Sequence, residues 1–136
     1  MQYQPIVLKG HAKPKGSLTP FYNRKKKKLG MHNSSPLTTN WLKSAKDQIK
    51  KLWKHEILEG PIELVCLFRL PHPKTVKRDY PIGRYEGDLD KLMRGIMDCM
   101  TGIVYVDDVQ VYKINTIKAY TEDTPSVVIT VTNKED

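Results

Sequence analysis

Apolar residues recur along the chain in two rhythms, and the switches between them mark out its elements. Pro5-Ile6-Val7-Leu8-Lys9 is a short apolar run closed by Gly10, which predicts a first strand. From Asn40 the spacing turns helical. Trp41, Leu42, Ala45, Ile49, Leu52 and Trp53 share one face, while Lys43, Lys46, Lys50 and Lys54 lie mainly on the others. Gly60-Pro61 stops that pattern. Ile62 to Leu70 alternates, with Ile62, Leu64, Cys66 and Phe68 on one side. Val65 and Leu67 make the other side apolar too, which predicts a central strand. Leu89, Leu92, Met93, Ile96, Met97 and Met100 form the stripe of a second amphipathic helix, ended by Gly102. Two more strands follow, Val109 to Tyr120 and Ser126 to Thr132, which the intervening Thr121-Glu122-Asp123-Thr124-Pro125 is expected to join as a hairpin.

The order β-α-β-α-β-β predicts an α+β fold, two helices packed on a small mixed β-sheet, in a single domain over residues 1–136. Two segments keep neither rhythm. Residues 10–36 are rich in Gly, Pro, Ser, Asn and Lys, and residues 71–87 mix prolines with basic and aromatic side chains. Both read as long loops, which are usually functional. Nothing in the first helix requires a cofactor.

Charge sharpens this picture. The net charge is +8, but residues 1–55 hold 13 Lys and Arg against the single acid Asp47, whereas residues 56–136 hold 10 against 14 acids. The first loop contributes Lys13, Lys15, Arg24, Lys25, Lys26, Lys27 and Lys28, with Phe21 and Tyr22 just before the run. The second contributes Lys74, Lys77, Arg78 and Arg84, with Tyr80 and Tyr85. Cations release counterions from phosphates and aromatic rings stack on exposed bases, so both loops are candidate DNA contacts. A solvated charge run is the competing explanation. No segment is long and apolar enough to span a membrane and the start lacks a signal-peptide pattern, so a cytoplasmic protein without membrane contact is expected. Cys66 and Cys99 lack CxxC spacing and are expected to be buried free thiols.

Asp88, Asp90, Asp107 and Asp108 all fall within 21 residues of this otherwise basic chain. Such clustering is electrostatically costly unless a cation sits between the carboxylates. Asp88 and Asp90 would open the second helix, where capping and the helix dipole offer a purely structural explanation. The short connection after Gly102 brings Asp107-Asp108 back along the same helix, so that either could approach the first pair. Hard oxygen donors with no His or Cys nearby suit Mg²⁺ or Mn²⁺ rather than zinc. Arg94 falls on the same polar flank, where it could neutralise a phosphate or simply pair with Asp98 at i, i+4.

Asp88-Leu89-Asp90-x-Leu92 opening a helix, then Asp98, then Gly102-Ile103-Val104-Tyr105-x-Asp107-Asp108-x-Gln110-Val111, resembles the RusA family of Holliday junction resolvases of bacteria and their phages. Lys13-Pro14-Lys15-Gly16 extends the resemblance weakly upstream, so that it spans roughly residues 5–132. It implies a RusA-like fold and Asp88, Asp90 and Asp108 as the essential metal-binding carboxylates, with Asp107 a neighbour. It also implies a Mg²⁺-dependent homodimer making paired nicks across branched, four-way DNA in recombination and repair. The chain carries Lys91 and Arg94 where the family usually has Asn and Lys, and Glu86-Gly87 where basic or proline residues are common. Arg94 keeps the charge but cannot donate a proton near neutral pH, which leaves that role to Lys91 or to water. The competing functions are a non-catalytic basic DNA-binding protein and a nuclease for other branched DNA.

Overall fold

The computed structural model describes residues 1–15, 19–23, 28–32 and 36–134, with 19–23 and 28–32 described by backbone alone. Its elements are β1 (Ile6–Lys9), β2 (Thr19–Asn23), β3 (Lys28–His32), α1 (Pro36–Leu52), β4 (Ile62–Pro71), α2 (Leu89–Met100), β5 (Val111–Thr121) and β6 (Ser126–Asn133). Single 3₁₀ turns at Arg84–Glu86 and Asp108–Gln110 precede α2 and β5. The α+β class, the two helices and the mixed sheet are those the sequence predicts.

The four-stranded sheet runs β1-β6-β4-β5, and only the β4–β5 pair is parallel. This corrects the expected hairpin, because β4 lies between β5 and β6. The reason is burial. Val127, Ile129 and Val131 of β6 are all covered, and a strand with so apolar a face is better placed inside the sheet than at its edge. β5, whose Tyr112, Ile114 and Ile117 are exposed, takes the edge and is reached from β4 through α2. Residues 10–36 are not wholly loop either, since β2 and β3 pair antiparallel in a small sheet of their own. Arg24, Lys25, Lys26 and Lys27 lie outside the described residues.

Both helices cover one face of the sheet. Trp41, Ala45 and Ile49 of α1 and Leu92, Ile96 and Met100 of α2 close over Leu8, Ile62, Leu64, Phe68 and Ile129. Apart from Ala45, each of these side chains contributes roughly 1.5–3 kcal/mol when withdrawn from water. Trp41 and Trp53 both belong to this core. Cys66 and Cys99 are buried free thiols, as expected; burial pushes the Cys99 thiol up to about 11, with Asp98 adding to the rise. On the other face of the sheet Val7, Val128, Leu67 and Ile117 form one apolar row across all four strands, with Val7 and Ile117 at its ends exposed.

Candidate active site

The N-terminus of α2 is anchored from three sides. Gly87, in the left-handed region at φ +89°, makes the turn into the helix and packs under Pro14; a Cβ there would lie 2.9 Å from the Pro14 ring. Lys118 Nζ donates to the Gly87 carbonyl at 2.8 Å, and the Lys15 amide donates to the Lys91 carbonyl at 3.1 Å. Immediately upstream, Glu86 is buried. Its carboxylate accepts from Arg78 Nη2 at 2.6 Å and from the Tyr120 hydroxyl. Burial pushes the Glu86 carboxyl up, but the hydrogen bonds from Tyr120 and Arg78 and the charge of Arg78 outweigh it and hold it below its ordinary value. Arg78, foreseen as a DNA contact, therefore already has a protein partner.

Asp88 is the N-cap by backbone, its carbonyl accepting from the amides of Lys91 and Leu92, but its side chain makes no capping hydrogen bond. The carboxylate is 70% exposed and faces Lys91 Nζ at 3.6 Å. Capping therefore does not explain this aspartate. Asp107 does cap: its Oδ1 accepts from the Val109 amide at 3.1 Å, and Gln110 Oε1 accepts from the Asp107 amide at 2.9 Å. Gln110 Nε2 also donates to the carbonyls of Leu58 and Gly60, both at 3.0 Å, so the Asp-Asp-x-Gln segment is pinned to the turn before β4. The buried Tyr105 hydroxyl donates to the Met97 carbonyl at 2.9 Å, tying the same segment to α2.

This architecture brings Asp90 and Asp108 into one pocket of about 380 Å³, together with Arg94 and with Met93, Met97, Ile114 and Thr116. Burial, a hydrogen bond with Asp107 and the charges of Asp107 and Asp98 together raise the Asp108 carboxyl above its ordinary value. A cation beside Asp108 would relieve the repulsion that Asp107 and Asp98 impose on it. Asp88 is not among the residues lining this pocket, and among the described residues no three Asp, Glu, His or Cys side chains are grouped closely enough to hold a metal ion. Two of the three foreseen carboxylates thus converge, while the third is turned toward Lys91.

Arg94 is exposed and Asp98 does not take it. Asp98 pairs instead with Lys15, and no carboxylate lies within ion-pair distance of Arg94 among the described residues. Lys13 is half-buried beside His11, whose pKa burial and the charge of Lys13 hold below its ordinary value. Lys74, Lys77 and Arg84 are exposed along 71–87, as are Tyr80, Ile82 and Tyr85. His72 is engaged within the protein, stacked on Tyr120 at 4.2 Å with Nδ1 3.0 Å from Glu122. The side chains of Lys28, Phe21 and Tyr22 lie outside the described residues. Sequence reasoning missed Glu86, Tyr120 and Lys118; the one available signal was an acid placed directly before the Gly-Asp turn of a basic loop.

No curated protein matches the chain. The family described as Endodeoxyribonuclease RusA matches residues 11–132, nearly the whole of it, and thus takes in both anchoring loops, both helices and the Asp90–Asp108 pocket. The chain belongs to the RusA family of endodeoxyribonucleases, Holliday junction resolvases that generally need a divalent metal.

Proposed function

We propose that the protein nicks four-way DNA junctions in a Mg²⁺-dependent reaction, with Mn²⁺ as a substitute, in DNA recombination and repair. The observation that carries this reading is the single pocket shared by Asp90, Asp108 and Arg94. Asp90 and Asp108 would hold the ion, Asp88 is the candidate to complete the set, and Asp107 stays occupied as a cap. When bound, the ion supplies Lewis-acid charge at the scissile phosphate and acidifies the attacking water. Arg94, at the same pocket and without a carboxylate partner among the described residues, neutralises charge that builds on the phosphate but gives up no proton. Lys91, one turn from Asp88, is the titratable cation able to protonate a leaving oxygen.

Exposed Lys74, Lys77 and Arg84 grip the backbone close to the site, while Tyr80 and Tyr85 offer ring faces to bases unpaired at the branch. Lys13 and Lys15 add positive charge upstream, and the sequence run from Arg24 to Lys28 adds five more basic residues. Pairing of nicks calls for two copies related by a two-fold, and the apolar row of Val7, Val128, Leu67 and Ile117 is a surface that a second copy would cover. No helix among the described residues is long and apolar enough to cross a membrane.

Incubating a synthetic junction with protein and Mg²⁺, with and without EDTA, and repeating it with Asp90→Asn, tests the proposal. Cleavage is expected only for the wild type with metal, with junction binding retained by the variant. Undiminished nicking by Asp90→Asn would defeat the assignment. The Asp88–Lys91 pair and the capping role of Asp107 are also what a non-catalytic DNA-binding protein would show; tight binding without any metal-dependent product would establish that alternative.

A further inference from the structure

A second pocket, of about 370 Å³, lies where α1 crosses α2, and its walls have a different chemistry. Lys15, Lys43 and Lys46 meet there over Leu42 and Gly95, with Asp98 and Cys99 on the α2 side. The crossing is close because Gly95 has no side chain; a Cβ there would lie 2.8 Å from the Leu42 side chain. Three lysines and one aspartate line it, and the aspartate's carboxylate is engaged by Lys15. Lys43 and Lys46 stand one helical turn apart on the same flank of α1, exposed, and no carboxylate lies within ion-pair distance of either among the described residues. The positive charge reaches inside the pocket, because Lys46 and Lys15 both draw the Cys99 thiol down against its burial.

Its placement makes this more than a solvated lysine face. Asp90, Arg94 and Met97 of α2 line the carboxylate pocket, and Gly95, Asp98 and Cys99 line the lysine pocket, so the two open on adjoining sides of one helix. A strand whose scissile phosphate lay at Asp90 and Asp108 would cross α2 beside Arg94 to reach the lysine pocket. We propose that the pocket between α1 and α2 is a second anion site that binds a DNA backbone phosphate away from the cleavage point, with Lys43 and Lys46 as its ligands and Lys15 fixed as its wall by Asp98. This rests on the reading of the Asp90–Asp108 pocket for its direction, but not on that pocket's chemistry.

The test is the salt dependence of junction binding in EDTA, where no cleavage intervenes. Neutralising one phosphate contact changes the slope of log K against log salt by roughly 0.9. Lys43→Gln/Lys46→Gln is therefore expected to flatten the slope by about 2 on a four-way junction. The control is Lys113→Gln/Lys134→Gln, which removes the same charge where both lysines face Glu63, at 3.1 and 3.8 Å. That control is expected to leave the slope unchanged. An unaltered slope in the first variant, or equal flattening in both, overturns the proposal. Circular dichroism of each variant excludes unfolding as the cause. Wild-type protein that binds with the full slope but never nicks with Mg²⁺ defeats the nuclease reading alone and leaves this site standing.

Discussion

Replacing Glu86 with glutamine tests whether the buried carboxylate holds the loop that leads into α2. Glutamine keeps the shape and one oxygen for the Tyr120 hydroxyl but removes the charge that Arg78 Nη2 meets at 2.6 Å. A hydrogen bond between charged partners contributes roughly 1.5–3 kcal/mol net. The Arg78 side chain is 38% exposed and is rehydrated when its partner is lost, so the loss should fall near the lower end, about 1–2 kcal/mol. For a chain of this length that is a drop in Tm of roughly 3–8 °C at pH 7. The sign of the pH dependence follows from the depressed Glu86 pKa. A folded value below the unfolded one gives stability that is complete above the ordinary carboxylate range and lost as pH falls through the folded value. The gap between wild type and Glu86→Gln should therefore be open at pH 7 and close below about pH 4. Calorimetric melts of both proteins from pH 3 to pH 8 read this directly, and curves that coincide at pH 7, or a gap that widens in acid, would refute the reasoning.

Other consequences are equally direct. Gly87→Ala places a Cβ against Pro14 at φ +89° and should cost roughly 2–4 kcal/mol from backbone strain and overpacking together, measured by urea unfolding. Asp107→Ala removes the acceptor for the Val109 amide and should lower stability by about 1 kcal/mol, again by urea unfolding. Tyr105→Phe deletes a buried hydroxyl whose acceptor, the Met97 carbonyl, still receives the Thr101 amide and hydroxyl, so the loss should be only about 0.5–1.5 kcal/mol. On a panel of four-way, three-way and linear duplex DNA with Mg²⁺, the four-way substrate should be cut fastest; equal rates on all three would remove the junction selectivity.

The sequence carried the elements better than their arrangement. The periodicities of Trp41–Trp53, Ile62–Leu70 and Leu89–Met100 are local signals of burial, and each corresponds to an observed element. Strand partners are not local. The Val127, Ile129 and Val131 alternation shows that β6 is buried on one face but is silent on whether β5 or β4 lies beside it, and adjacency in the chain pointed to the wrong one. The site divides in the same way. Asp90 and Asp108 were legible as members of one cluster, whereas the turning of Asp88 toward Lys91, the recruitment of Asp98 by Lys15 and the capture of Arg78 by Glu86 depend on side-chain choices between several nearby charges. Gln110 and Tyr105 belong to the motif because they brace it, which only their hydrogen bonds to Leu58, Gly60 and Met97 reveal.

The most direct test of the account is calorimetric titration of Mn²⁺ into the DNA-free wild type, Asp90→Asn and Asp108→Asn under identical conditions. Saturable binding by the wild type that is lost in both variants is the predicted result. Binding of equal affinity in all three would show that the ion, if it acts, is held elsewhere.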